Sequence, residues 1–138
     1  MKFIFFRFAA EIRPSSGSDY LPVGDITDYT ELVDVGDIFN PTTGRLTIND
    51  EQQEGNYVLH VSAYTIRAFG KEGWISVYKN QEEVQQIYES DKGNDLMMNA
   101  VITLHLQKGD EVKLYNYYDE SIAVFSSYHP FTFTGYKI

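Results

Sequence analysis

The sequence predicts an all-β fold, about ten strands packed as two antiparallel sheets. Three observations carry this. Short runs of alternating apolar and polar residues recur along the chain, each closed by a turn signal. No segment holds a convincing helical period. Pro14, Pro22, Pro41 and Pro130 all fall between runs or at their ends, where a missing N–H costs a sheet least.

The elements follow in order. Phe3 to Ala10 reads as the first strand; as a secretory leader its apolar run is too short and is broken by Arg7. Asp28 to Val35 is the next run, ended by Gly36-Asp37. Leu46 and Ile48 then alternate with Thr47 and Asn49. Gly55-Asn56 opens a long strand with Tyr57, Leu59, Val61 and Ala63 on one face. Gly73 to Tyr78 follows, and Lys79-Asn80-Gln81 reads as a tight hairpin turn. Glu82 to Ser90 spaces Val84, Ile87 and Tyr88 as a helix would. Its place between a hairpin and another strand makes it an edge strand instead. From Ala100 to Leu106, Ile102, Leu104 and Leu106 point to the core, so Val101, Thr103 and His105 point away. Lys108-Gly109-Asp110 turns the chain, and Val112, Leu114 and Asn116 continue the core side. Ile122 to Ser126 and Phe131 to Ile138 complete the set.

The length, 138 residues, suits a single domain over 1–138. With 43% hydrophobic and 15% aromatic residues the chain has ample material for a core. There are no cysteines, which excludes disulfides, thiolate metal sites and Cys nucleophiles. Net charge is −9, which disfavours nucleic acid and anionic lipid as partners. The acidic excess keeps such a chain soluble, and acidic patches are also able to hold calcium. No stretch approaches the roughly 20 apolar residues of a membrane span.

Nothing in the sequence points to catalysis. There is no nucleophile elbow, phosphate-binding loop or His-x-x-x-His pair. His60, His105 and His129 are scattered, and no spacing singles out a Ser-His-Asp triad. The chain reads as a binding protein, not an enzyme.

Six motifs, in order and spanning the chain, resemble the C1q-domain family. Phe8-Ala9-Ala10 is similar to its opening Phe-Ser-Ala strand. Phe39-Asn40-Pro41-Thr42-Thr43-Gly44-Arg45-Leu46-Thr47 resembles its Asn-x-x-Thr-Gly turn segment. Gly55-Asn56-Tyr57-Val58-Leu59 is similar to Gly-x-Tyr-x-Phe, and Tyr78-Lys79-Asn80-Gln81 sits where the family has Lys-Asn-Gly. Leu104-His105-Leu106-Gln107-Lys108-Gly109-Asp110-Glu111-Val112 follows Leu-x-Leu-x-x-Gly-Asp-x-Val, and Phe133-Thr134-Gly135-Tyr136-Lys137-Ile138 resembles the closing Phe-Ser-Gly-Phe-Leu-Leu. Departures fall at Lys113, usually aromatic, at Lys137, usually apolar, and at Met98-Asn99, usually a small Ser-Gly pair.

The resemblance implies a ten-stranded jelly roll, two five-stranded sheets in a sandwich like that of tumour-necrosis-factor ligands, assembled as a homotrimer. It implies a secreted recognition head, lectin-like or pattern-recognising, for a carbohydrate or protein ligand. A receptor-binding signalling ligand and a purely structural trimerisation module are the alternatives. Three placements follow. The strand bearing Val101, Thr103 and His105 belongs to the trimer-facing sheet, which puts three copies of His105 near one axis; acid would then loosen the trimer. The oxygen-rich loop from Glu89 to Asp95, with Asp91 and Asp95 as carboxylate ligands, corresponds to a loop that sometimes holds calcium. Ligand contacts are expected from the aromatic-polar segment after the last turn, at Tyr115, Tyr117, Asp119 and, further on, Tyr128. Tyr115 and Tyr117 alternate away from the core, Tyr118 towards it, and Trp74 is open to either role.

Overall fold

The computed structural model describes residues 5–13, 19–21, 23–66, 74–88, 95–117, 122–124 and 130–138, of which 19–20, 64–66, 88, 95–97 and 122–124 are described by backbone alone. In chain order the strands are β1 (Arg7–Ile12), β2 (Asp19–Leu21), β3 (Gly24–Asp25), β4 (Thr30–Val35), β5 (Phe39–Asn40), β6 (Arg45–Thr47), β7 (Gly55–Ile66), β8 (Trp74–Lys79), β9 (Glu82–Tyr88), β10 (Asp95–Leu106), β11 (Glu111–Asn116), β12 (Ile122–Val124) and β13 (Phe131–Lys137). The one helical turn among the described residues is Glu51–Gln53, capped reciprocally by Asp50 and Gln53.

These strands form two antiparallel sheets. In the first, the order runs β2-β12-β7-β13-β1-β4, with β10 on the other edge of β7. In the second it runs β5-β6-β11-β8-β9, with β3 also on β11. The all-β two-sheet architecture is as the sequence predicts. The strand count differs: among the described residues the sheets hold seven and six strands, not five each. The excess lies in β2, β3, β5, β6 and β12, pieces of two or three residues. Left-handed residues break up this part of the chain: Gly24 (φ 107°) opens β3, and Asp28 (φ 63°) and Asp37 (φ 55°) lie between strands.

Alternation explains the core. Along β7, Tyr57, Leu59, Val61 and Ala63 are all buried, as are Val112, Leu114 and Asn116 along β11. Phe8, Tyr29, Phe39 and Phe133 meet between the sheets, Phe8 stacking on Phe39 at 4.7 Å and standing edge-on to Phe133 at 5.0 Å. Each such ring contributes roughly 1.5–3 kcal/mol by burial. Gly135 faces this cluster because nothing larger fits: a Cβ there would lie 2.6 Å from Leu59 Cδ2 and 2.7 Å from Phe8 Cε1. In the turn from β5 to β6, Asn40 Oδ1 accepts from the Thr42 and Thr43 amides, and Gly44 closes it at φ 73°. A Cβ on Gly44 would meet Ile26 O at 2.3 Å.

The segment with helical spacing is indeed an edge strand, β9, bonded among the described residues to β8 alone. Its spacing has a cause. Val77 faces Gln85 and Tyr78 faces Glu83, so Val84 is the extra residue of a β-bulge. The bulge shifts the parity and lets Val84 and Ile87 both pack on the core. The departures from the family motifs are also accommodated. Lys137 lays its ammonium 5.7 Å from the Phe6 ring and donates to Gln52 O at 2.9 Å. Met98 is buried beside exposed Asn99.

Candidate functional site

Two sheet faces present side chains outward. On the first sheet the registers of β1, β13, β7 and β10 line up, so outward residues form rows across the strands. One row is Arg7, Tyr136, Val58 and Thr103; the next is Ala9, Thr134, His60 and Val101; the next is Glu11, Thr132, Ser62 and Asn99. Beyond Tyr136, Ile138 donates its amide to Asn56 O, and Asn56 faces His105. On β13, β7 and β10 these rows contain no Asp, Glu, Lys or Arg. Within these rows charge returns on β1, with Arg7 and with Glu11, which pairs with Arg13 at 3.0 Å; Asp95, of the same parity at the start of β10, is described by backbone alone.

The two imidazoles on this face are held by amides. His60 Nε2 lies 3.1 Å from Asn99 Oδ1 and His105 Nδ1 lies 3.0 Å from Asn56 Oδ1. Val101 is 66% exposed in the middle of β10, and Phe5, 55% exposed, stacks on Tyr136 at 6.0 Å. β10 itself is hydrogen-bonded only to β7, so its other edge is unpaired among the described residues.

The second sheet carries a strip of rings. β11 lies against β8 in the register Lys113 to Tyr78 and Tyr115 to Ser76, and the Tyr117 amide bonds to Trp74 O. That pairing, together with strand alternation, brings Trp74, Tyr78, Tyr115 and Tyr117 onto one outward face. Trp74 and Tyr117 stack at 5.2 Å and 24°, and Tyr117 and Tyr78 at 6.3 Å and 24°. Tyr115 tilts against Tyr117 at 4.6 Å and stands edge-on to Tyr78. The Tyr78 and Tyr117 hydroxyls are hydrogen-bonded to each other. This bond, ahead of desolvation and nearby charge, pushes the Tyr78 phenol up to about 12.

Charges flank the strip on both sides. Lys113 sits 5.5 Å and 5.7 Å from the Tyr78 and Tyr115 ring centres and binds Asp25 at 2.7 Å. Arg45 spans Asp25 and Glu111, at 3.6 Å and 2.7 Å. At the other end Glu83 accepts from Ser76 Oγ, Gln86 Nε2 and, at 3.4 Å, Trp74 Nε1. These bonds, that from Ser76 first, hold the Glu83 carboxyl below its ordinary range, so it is ionised at neutral pH.

The expected residues fall into three groups. Val101, Thr103 and His105 are all exposed on the first sheet's outward face, in its rows without charge on β10. Tyr115 and Tyr117 are on the second sheet's outward face, Tyr117 at 38% exposure. Asp91, Asp119 and Tyr128, with Tyr118, lie outside the described residues, and Asp95 enters only as the first backbone position of β10. Among the described residues no group of three or more His, Asp or Glu side chains gathers as for a metal ion. No helix among them is long and apolar enough to cross a membrane. The sequence reading missed Tyr78, Lys113 and Glu83. The parity of Trp74 and Tyr78 in their strand was the signal available; their register against β11 was not.

The family model described as the C1q domain matches residues 22–138. No curated protein shows a sequence match to the chain. Among solved structures the chain is similar to the globular domain of zebrafish complement 1qA protein, at 19% identity and a TM-score of 0.65, with 96% of this chain and 97% of that one covered. It is similar to Eiger TNF from S. frugiperda, at 12% identity and a TM-score of 0.68, with 99% and 94% covered. It is similar to murine APRIL at pH 5.0, at 12% identity and a TM-score of 0.66, with 96% and 99% covered. At such identities the likeness is one of fold.

Proposed function

This chain belongs to the C1q-domain family, and from that membership we propose that it is a secreted, homotrimeric recognition domain for a carbohydrate or protein ligand. Domains of the C1q and TNF-like class are recognition or ligand domains rather than enzymes. The observation that carries the assembly is the uncharged face of β13, β7 and β10. On a chain of net charge −9, the described rows of this face, from Asn56 and His105 to Ser62 and Asn99, hold no carboxylate, lysine or arginine on the three strands, which is the composition of an interface core, where charge is depleted. Two identical neighbours would cover it and the free edge of β10 beside it, in a closed ring. The ring strip on the opposite sheet would stay open to a ligand.

Sedimentation velocity at micromolar concentration tests the assembly. A species of three times the 15.9 kDa chain is expected. Val101→Glu, at a site 66% exposed in the single chain, should reduce it to one chain with an unchanged circular dichroism spectrum. A parent protein that sediments as a single chain overturns the reading. For recognition, glycan arrays run with and without calcium report directly on a carbohydrate ligand; the Asp91 to Asp95 segment is where an ion would be sought. A silent array with an intact trimer leaves a protein ligand.

A further inference from the structure

The ring strip has a polarity that narrows its ligand. Trp74, Tyr117 and Tyr78 turn their faces on one another, and the ammonium of Lys113 sits against Tyr78 and Tyr115. Tyr117 and Tyr78 therefore have little flat ring surface left for a sugar, whereas Trp74, at the end of the stack and beside Glu83, meets one other ring among the described residues. The cations near the strip are likewise engaged, Lys113 by Asp25 and Arg45 by Glu111. Glu83 is different. Its carboxylate is held by neutral donors only, and among the described residues no lysine or arginine pairs with it. Among the described residues it is a fixed negative charge without a cationic partner, at the edge of the indole.

We propose that Glu83 and Trp74 form a reading site for an arginine side chain of a protein partner. The assignment rests on the recognition reading above and makes its ligand a protein. A guanidinium is the cation that fits both halves of the site. Its planar fork pairs with a carboxylate, and its weakly hydrated plane lies against an aromatic ring. Tryptophan is the best ring for such a contact. Lysine, a compact and strongly hydrated charge, exploits the carboxylate alone. The chain's net −9, tripled in a trimer, draws a basic partner surface in and repels acidic glycans. Around the contact, Tyr117 and Tyr115 present ring edges and hydroxyls, which suit a protein surface.

The test uses a built-in reporter, because Trp74 is the only tryptophan of the chain. The domain is titrated with acetyl-arginine amide, acetyl-lysine amide and acetyl-citrulline amide while Trp74 emission is followed. The arginine probe should give a saturable change, the lysine probe one about tenfold weaker, and the uncharged citrulline probe none. Glu83→Gln should abolish the arginine response. Equal responses to arginine and lysine, a response surviving in Glu83→Gln, or no arginine response overturns the assignment. Methyl glycosides that shift Trp74 emission to saturation also overturn it. Sedimentation of the same samples separates the two readings: a trimer that ignores arginine sinks only this one, and a single chain sinks the assembly beneath it.

Discussion

Tyr29 stands edge-on to Phe39, ring centroids 5.6 Å apart and planes at 82°, and its buried hydroxyl has no hydrogen-bond partner among the described residues. A buried unpaired hydroxyl costs about 1–3 kcal/mol. Tyr29→Phe keeps the ring and removes the orphan. The variant should be more stable than the parent by about 1 kcal/mol, read as a higher midpoint in urea with an unchanged slope. A loss of stability would mean that the hydroxyl has a partner after all.

The same residue sets an alkaline limit. Burial raises the Tyr29 phenol far above its ordinary value of 10.0, and burial, then the charge of Asp50, raises Tyr57 to about 12. Both are raised on folding, so their contribution is intact below pH 10 and is lost as the unfolded chain ionises and pH climbs towards the folded values. Stability should fall between about pH 10 and 12, and less steeply in Tyr29→Phe. Parallel urea midpoints for the two proteins across that range would refute the assignment.

Gly135 is a tightly packed point of the first sheet. Gly135→Ala places a methyl 2.6 Å from Leu59 Cδ2, 2.7 Å from Phe8 Cε1 and 3.2 Å from Val58 O. The backbone oxygen cannot swing aside, so the cost should be about 1–3 kcal/mol. Thermal unfolding of the purified variant measures it.

Asp110 ties the β10–β11 turn. Its carboxylate accepts from the Gln107 amide at 2.8 Å and from Asn80 Nδ2 at 3.1 Å. The Gln107 bond, then the Asn80 bond and the charges of Lys79 and His105, lowers its pKa below 3.8. A depressed carboxylate stabilises above the unfolded value and loses that contribution as pH falls through the folded one. Asp110→Ala should therefore cost about 1–2 kcal/mol near neutrality, and progressively less below pH 3.8. A pH-independent cost would assign the effect to packing.

On the ring strip, Tyr78 is raised to about 12 first of all by its bond to Tyr117. Tyr117→Phe should bring the Tyr78 phenol down towards 10, read from 13C-labelled tyrosine resonances during an alkaline titration. No movement would separate the two rings.

What the sequence disclosed divides along a physical line. Strand faces follow from period two, so the burial of Tyr57, Leu59 and Val61 and the exposure of Val101, Thr103 and His105 were legible residue by residue. Val84 and Ile87 looked helical because a bulge adds one residue to an alternating run, and no single strand reveals a bulge in its pairing. Two- and three-residue pieces such as β3 and β12 are too short to display any period. Tyr115 and Tyr117 were readable as an outward pair. Their neighbours Trp74 and Tyr78 depend on where β8 meets β11, and the Lys113–Asp25 pair spans 88 positions. Such partners are decided by topology, which local pattern does not encode.

The pairing of β1 with β13 along Arg7 to Ile12 and Phe131 to Tyr136 has a consequence for biosynthesis. β1 is translated well over a hundred residues before the strand it pairs with, β13. Until Phe131 and Phe133 emerge from the ribosome, Phe8, Tyr29 and Phe39 have no lid and β7 lacks its middle neighbour. The nascent chain must carry those rings in the open, where they are liable to aggregate. Closure waits for β13, and a polypeptide cut off before Phe131 cannot complete its interior.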